Sequence, residues 1–196
     1  MADSARSRPP ARPPSHLVQV PQASDIPPDF GVPAKVRRVS FVDLQKITDR
    51  RGDLVVAEVG RHIPFVTQRM YALVNVPEGS ERGGHAHRAL EQVLVVLSGS
   101  LQLLVDDGER QERIHLQEQS RAVYIRPMVW RELSCFAPGT VCMVLASRVY
   151  QEADYIRDYQ TFMREVPTEA HHRAPSQASD RRPQLVDWKR SEAEPR

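Results

Sequence analysis

Two histidines one residue apart, His85 and His87, follow directly on a glycine pair in the stretch Arg82-Gly83-Gly84-His85-Ala86-His87-Arg88. Imidazole titrates near working pH, so two of them in one pocket can take and give protons within a single reaction. On an extended strand, residues two apart share a face, and in a small barrel one of the two faces is the interior. Burying two imidazoles without partners is costly, which favours a site over packing; a hydrogen-bonded structural histidine is the alternative reading. Gly83 and Gly84 allow backbone conformations, or close approach of a ligand, that a side chain would forbid, and they can equally form a bulge.

The elements that must position this pair are short. Between residues 35 and 165 apolar runs alternate with turn residues at 38–44, 54–59, 67–76, 92–97, 100–105, 111–116, 122–126, 131–136 and 141–147. That is the pattern of an all-β sandwich or barrel. Asp106-Asp107-Gly108 signals a hairpin, Gly99 opens a strand, and Pro127 and Pro138-Gly139 break later ones. The links are too short for crossovers, so consecutive strands are expected to be antiparallel neighbours. In 154–163, Tyr155, Ile156, Tyr159, Phe162 and Met163 recur at helical spacing and predict one closing helix on the outside of the barrel.

The 196 residues suffice for one domain, expected at 35–165. Eight of the sixteen prolines fall before residue 34 with little apolar periodicity, so 1–34 reads as a disordered arm. The polar stretch 166–196 reads as a disordered tail, and its His171 and His172 are discounted as ligands. The formal charge is +2 and the arginines are scattered, without the clustered basic stripe that nucleic-acid binding needs. No apolar run approaches the roughly 20 residues required to cross a bilayer, and no apolar signal core is found, so a cytoplasmic protein without a membrane partner is expected. Cys135 and Cys142 sit in apolar runs and read as reduced, buried thiols.

An ordered series of motifs carries a resemblance. Ile63-Pro64-Phe65, Gln68-Arg69-Met70-Tyr71, the Gly-Gly-His-Ala-His stretch, Glu91-Gln92-Val93-Leu94, Gly99-Ser100, Asp106-Asp107-Gly108, Pro127 with Trp130, Val144-Leu145-Ala146-Ser147 and Asp154-Tyr155-Ile156-Arg157 come in the order found in the sugar nucleotide 3,4-ketoisomerases. The chain resembles that family over nearly the whole expected domain. The resemblance implies a small antiparallel cupin (jelly-roll) β-barrel and a homodimer with exchanged strands. It also implies conversion of TDP-4-keto-6-deoxyglucose to TDP-3-keto-6-deoxyglucose in deoxyaminosugar biosynthesis, with no cofactor.

Moving a carbonyl from C4 to C3 requires removing the C3 proton, passing through an enediol and delivering a proton to C4. His87 is expected as the base at C3, with His85 shuttling a proton or orienting it; the order within the pair stays open. An enediolate needs fixed donors in a dry pocket. Arg69 and Tyr71 share a strand face and are expected to project inward, Arg69 to pyrophosphate or an enediolate oxygen and Tyr71 to a sugar oxygen, with core packing as the alternative for Tyr71. Arg82 and Arg88 are candidates for phosphate, Trp130 for stacking on base or sugar unless it is simply core, and Arg51 for the pocket wall. His85, His87 and Glu91 match the first half of a cupin metal site. Where the family often has Trp-His, however, this chain has Trp130-Arg131, and arginine neither ligates a metal nor delivers a proton. Arg131 is therefore taken as substrate-binding, no metal is expected, and one histidine pair is expected to work on one face, giving the gluco product. The alternatives are a metal-dependent cupin oxygenase and a non-catalytic sugar-nucleotide-binding module.

Overall fold

The computed structural model describes residues 31–117 and 121–167. Contacts divide the chain into Met1–Val166 and Pro167–Arg196, and the elements described belong to the first unit. Residues 1–30 of the expected arm and 168–196 of the expected tail lie outside the described residues. Among the described residues are thirteen strands, one α-helix and a short 3-10 turn at Glu152–Asp154: β1 Val32–Pro33, β2 Val39–Asp43, β3 Gln45–Asp49, β4 Gly52–Val56, β5 Arg69–Leu73, β6 Arg82–His87, β7 Gln92–Ser98, β8 Leu101–Asp106, β9 Gln111–Leu116, β10 Arg121–Ile125, β11 Trp130–Ser134, β12 Val141–Ala146, β13 Tyr155–Ile156 and α1 Tyr159–Glu165.

Two antiparallel sheets face each other, a six-stranded one in the order β1-β2-β10-β7-β12-β5 and a five-stranded one in the order β13-β6-β11-β8-β9; β3 and β4 form a separate hairpin. The fold is all-β and cupin-like. Between the sheets, Leu94, Val96, Leu101, Leu103, Val105, Val123, Ile125, Val144 and their neighbours form the main core. Alternation along each strand supplies these residues, since every second side chain points inward.

Two expectations about the elements need correcting. Consecutive strands are mostly not neighbours. β7 and β8 belong to different sheets, and the Gly99-Ser100 link between them turns a corner rather than closing a hairpin. A short link restricts distance, not the choice between pairing and switching sheets. β8 and β9 do pair, joined where Asp107 Oδ1 accepts from the amides of Glu109 and Arg110 and Asp106 Oδ1 from that of Gly108. The second correction concerns 154–163. Tyr155 and Ile156 pair with His87 and Ala86 of β6 as a two-residue strand, and the helix begins only at Tyr159. Asp158 caps that helix by accepting from the Thr161 amide at 2.8 Å.

Candidate active site

β6 and β11 of one sheet face β5, β7 and β12 of the other across a cavity of about 370 Å³. Leu73, Leu94, Leu133 and Val144 make its apolar walls, and Arg69, Tyr71, Arg82, His85, Gln92, Arg131 and Tyr155 supply its polar groups. Arg69 and Tyr71 alternate inward on β5, while Gln92 opens β7 and donates from Nε2 to the Tyr71 hydroxyl at 2.9 Å. The rings of His85 and His87 lie edge to face, with centroids 4.8 Å apart, and Tyr155 packs against both. The two are not equivalent. His85 lines the cavity, whereas His87 is 0% exposed and lies behind it.

The tautomers follow from the neighbours. His85 Nδ1 is 2.9 Å from the Gly83 carbonyl, and His87 Nδ1 is 2.9 Å from Asp154 Oδ2. Both partners accept only, so each Nδ1 carries the proton and each Nε2 keeps a lone pair. Burial, and next to it the Arg131 guanidinium, pulls His85 down to about 4 and His87 to about 2. The Asp154 carboxylate lies at ion-pair distance from His87, yet desolvation and the cations dominate. Both imidazoles are neutral bases at pH 7.

Arg131 is 1% exposed, and Nε, Nη1 and Nη2 are all buried without a partner; Nε and Nη2 of Arg69 and Nε2 of His87 are in the same condition. Burial lowers Arg131 to about 10, which still leaves it cationic at neutral pH. Buried donors in such number cost free energy unless something occupies the cavity to meet them. A bulge in the pairing between β6 and β11 falls at Arg131/Glu132. Gly83, with φ at +88°, lets the strands approach there: a Cβ on it would lie 2.7 Å from the Arg131 carbonyl oxygen.

Five of the residues expected from the sequence thus line this cavity, Arg69, Tyr71, Arg82, His85 and Arg131, with His87 packed against His85 behind it. Trp130 does not. It alternates with Arg131, points to the opposite face, donates from Nε1 to Glu132 and packs on Tyr159 and Phe162 of α1. Arg51 sits at the tip of the β3–β4 hairpin, 84% exposed and paired with Asp49. Arg88 binds the carbonyls of Ala153 and Tyr155 and the carboxylate of Glu165 instead of facing the cavity. Glu91 accepts from the Tyr124 hydroxyl, and among the described residues no three His, Cys, Asp or Glu side chains converge as a metal site. Gln92, Asp154 and Tyr155 were not predicted as site residues. Gln92 is legible from strand alternation, while Asp154 and Tyr155 arrive only through the pairing of β13 with β6.

The family model described as "FdtA: WxcM-like, C-terminal" matches residues 37–167. A TDP-4-oxo-6-deoxy-alpha-D-glucose-3,4-oxoisomerase from Aneurinibacillus thermoaerophilus is 43% identical over 121 residues, 62% of this chain and 87% of that protein. The chain belongs to the sugar nucleotide 3,4-ketoisomerase family. Among solved structures, this ketoisomerase superposes with a TM-score of 0.66 and 36% identity on a mutant of the 3,4-ketoisomerase QdtA from Thermoanaerobacterium thermosaccharolyticum in complex with TDP-4-keto-6-deoxyglucose, covering 67% of this chain and 95% of that one. It superposes with a TM-score of 0.64 and 37% identity on the TDP-quinovose 3,4-ketoisomerase WlaRB from Campylobacter jejuni, covering 66% and 99%. Among the described residues of the ketoisomerase, no helix is long and apolar enough to cross a membrane.

Proposed function

We propose that this ketoisomerase converts TDP-4-keto-6-deoxyglucose into TDP-3-keto-6-deoxyglucose within deoxyaminosugar biosynthesis, and that His85 rather than His87 meets the carbon skeleton. The observation that carries the reading is the meeting, at one cavity, of the neutral His85 imidazole with the Arg131 guanidinium, whose three nitrogens are all buried without a hydrogen-bond partner. His85 Nε2 takes the C3 proton while charge develops on O4, held by Arg131 and Arg69. The O3 proton passes to O4, and as C3=O forms C4 takes a proton from water on the opposite face while His85 releases its proton to solvent. Nε2 of His87 lacks a donor and Arg131 lacks acceptors; a sugar hydroxyl, which both donates and accepts, satisfies the two together. His87 therefore serves the oxygen proton and His85 the carbon proton. H3 of the substrate and H4 of the gluco product lie on opposite faces of the ring, so His85 does not serve both carbons in reaching that configuration, and Arg131 cannot deliver the second proton.

The same reading takes the protein to be a cytoplasmic homodimer with exchanged strands. Both strands of the β3–β4 hairpin are largely exposed, with Ile47 and Leu54 outward, and β5 is a sheet edge exposing Met70. A partner's hairpin on that edge would bring its Arg51 towards the substrate, which accounts for a guanidinium that stands outside the cavity of its own chain. The test is turnover of TDP-4-keto-6-deoxyglucose followed by NMR. A 3-keto product with C4 in the gluco configuration is expected. Binding without any 3-keto product would leave a sugar-nucleotide-binding module, and a galacto product would mean that one base on one face serves both carbons.

A further inference from the structure

We infer that Asp154 is a positioning residue of the active site, holding His87 as the Nδ1–H tautomer and so keeping its Nε2 lone pair for the substrate. This rests on the ketoisomerase reading for its consequence, though not for its geometry.

Both oxygens of Asp154 are engaged. Oδ2 is 2.9 Å from His87 Nδ1, and Oδ1 accepts from the Ala89 amide at 2.7 Å. The backbone carrying the carboxylate is fastened in turn. The Arg88 amide donates to the Asp154 carbonyl at 2.9 Å, Tyr155 pairs with His87, and Arg88 Nη1 donates to the carbonyls of Ala153 at 3.1 Å and Tyr155 at 3.0 Å. The carboxylate therefore cannot turn away from the imidazole without breaking main-chain bonds. It accepts only, so the imidazole has to donate through Nδ1. His85 reaches the same tautomer through a main-chain carbonyl, which no substitution removes. His87 depends on one side chain and is open to test.

The Ala89 amide makes an unusual ordering of variants follow. In Asp154→Asn that amide continues to require an oxygen, so the side-chain carbonyl faces Ala89 and the NH₂ faces Nδ1. Nδ1 must then accept, the proton moves to Nε2, and the lone pair meant for the substrate is gone. In Asp154→Ala the imidazole loses its partner, but the wrong tautomer is not imposed. The isosteric variant should therefore be the more damaging one, the reverse of what a merely structural role predicts.

The experiment uses the full-length protein with ring-¹⁵N histidine. Long-range ¹H–¹⁵N NMR assigns the His87 tautomer, with His87→Gln identifying its signals, and kcat and KM are measured for both Asp154 variants. The expected results are Nδ1–H in the wild type, Nε2–H in Asp154→Asn, and a fall in kcat of up to about 10⁴-fold for Asp154→Asn with a smaller loss for Asp154→Ala, the size a wrong tautomer imposes on a catalytic imidazole. Nε2–H in the wild type, or an Asp154→Asn variant that keeps Nδ1–H and loses less activity than Asp154→Ala, would overturn the inference. The wild-type tautomer alone decides the matter if a variant fails to fold. Wild-type protein with the expected tautomer but no turnover would instead remove the ketoisomerase reading and leave the inference standing.

Discussion

Arg131 concentrates the electrostatics of the site. Its guanidinium is buried with every nitrogen unpartnered, and it is the second cause, after burial, of the low pKa of both imidazoles. With His85 held at about 4, kcat/KM should stay level as pH falls from 8 towards 5, where an ordinary histidine base would already have been protonated. Arg131→Gln removes the cation, so the acid limb should move up towards 6.5 while kcat falls on the order of 10²-fold or more through loss of enediolate stabilisation. Full pH profiles of the two proteins check both effects, and an unmoved acid limb would contradict the assigned cause. At this scale the sequence was informative where alternation decides direction, as for Arg69 and Tyr71. Trp130 and Arg131 show the limit. Neighbours on a strand cannot both face the cavity, and arginine holds the inward position together with Leu133, two residues on, while β11 keeps an unbroken register with β8.

Among the elements, β6 and its bulge do most to shape the site. Gly83 has φ at +88°, and its place against the Arg131 backbone leaves no room for a Cβ. Gly83→Ala should destabilise the fold by about 1–3 kcal/mol, from left-handed backbone strain plus the clash, and should reduce turnover by displacing Arg131 and the carbonyl that faces His85. Urea unfolding and kcat of the same preparation test the coupling. Trp130→Phe, by contrast, perturbs the packing under α1 on the other face of β11, so it should lower stability by about 1 kcal/mol or somewhat more while kcat of the folded protein stays within about twofold. The strands of the main sheets were readable from apolar alternation, and the turn at Asp106-Asp107-Gly108 from its side-chain chemistry. The segment 154–163 was not. Tyr155 and Ile156 fit helical spacing as well as strand alternation, and what decides between them is pairing with a strand nearly seventy residues earlier, a long-range contact that local pattern does not encode.

For the molecule as a whole, the all-β class follows from the distribution of apolar runs. The order of strands within the sheets did not, because short links join strands of opposite sheets as readily as neighbours. The buried imidazoles also tie stability to pH. Their folded-state values lie below the unfolded value near 6.5, so below that pH the unfolded chain binds protons that the folded one refuses. Stability is fully present above pH 6.5 and should decline as pH falls towards 4, at up to ~1.4 kcal/mol per pH unit for each such proton. A shallower decline in His85→Ala, read by denaturant unfolding at several pH values, is the expected signature. The claim that joins fold to function is that in this one cavity His85 removes the C3 proton on the way to the 3-keto sugar. Its most direct test is incubation with TDP-4-keto-6-deoxyglucose in D₂O, comparing wild type with His85→Ala by NMR: a 3-keto product with deuterium at C4 from the wild type and neither product nor C3 exchange from the variant is the predicted result, whereas conversion by His85→Ala at the wild-type rate would contradict it.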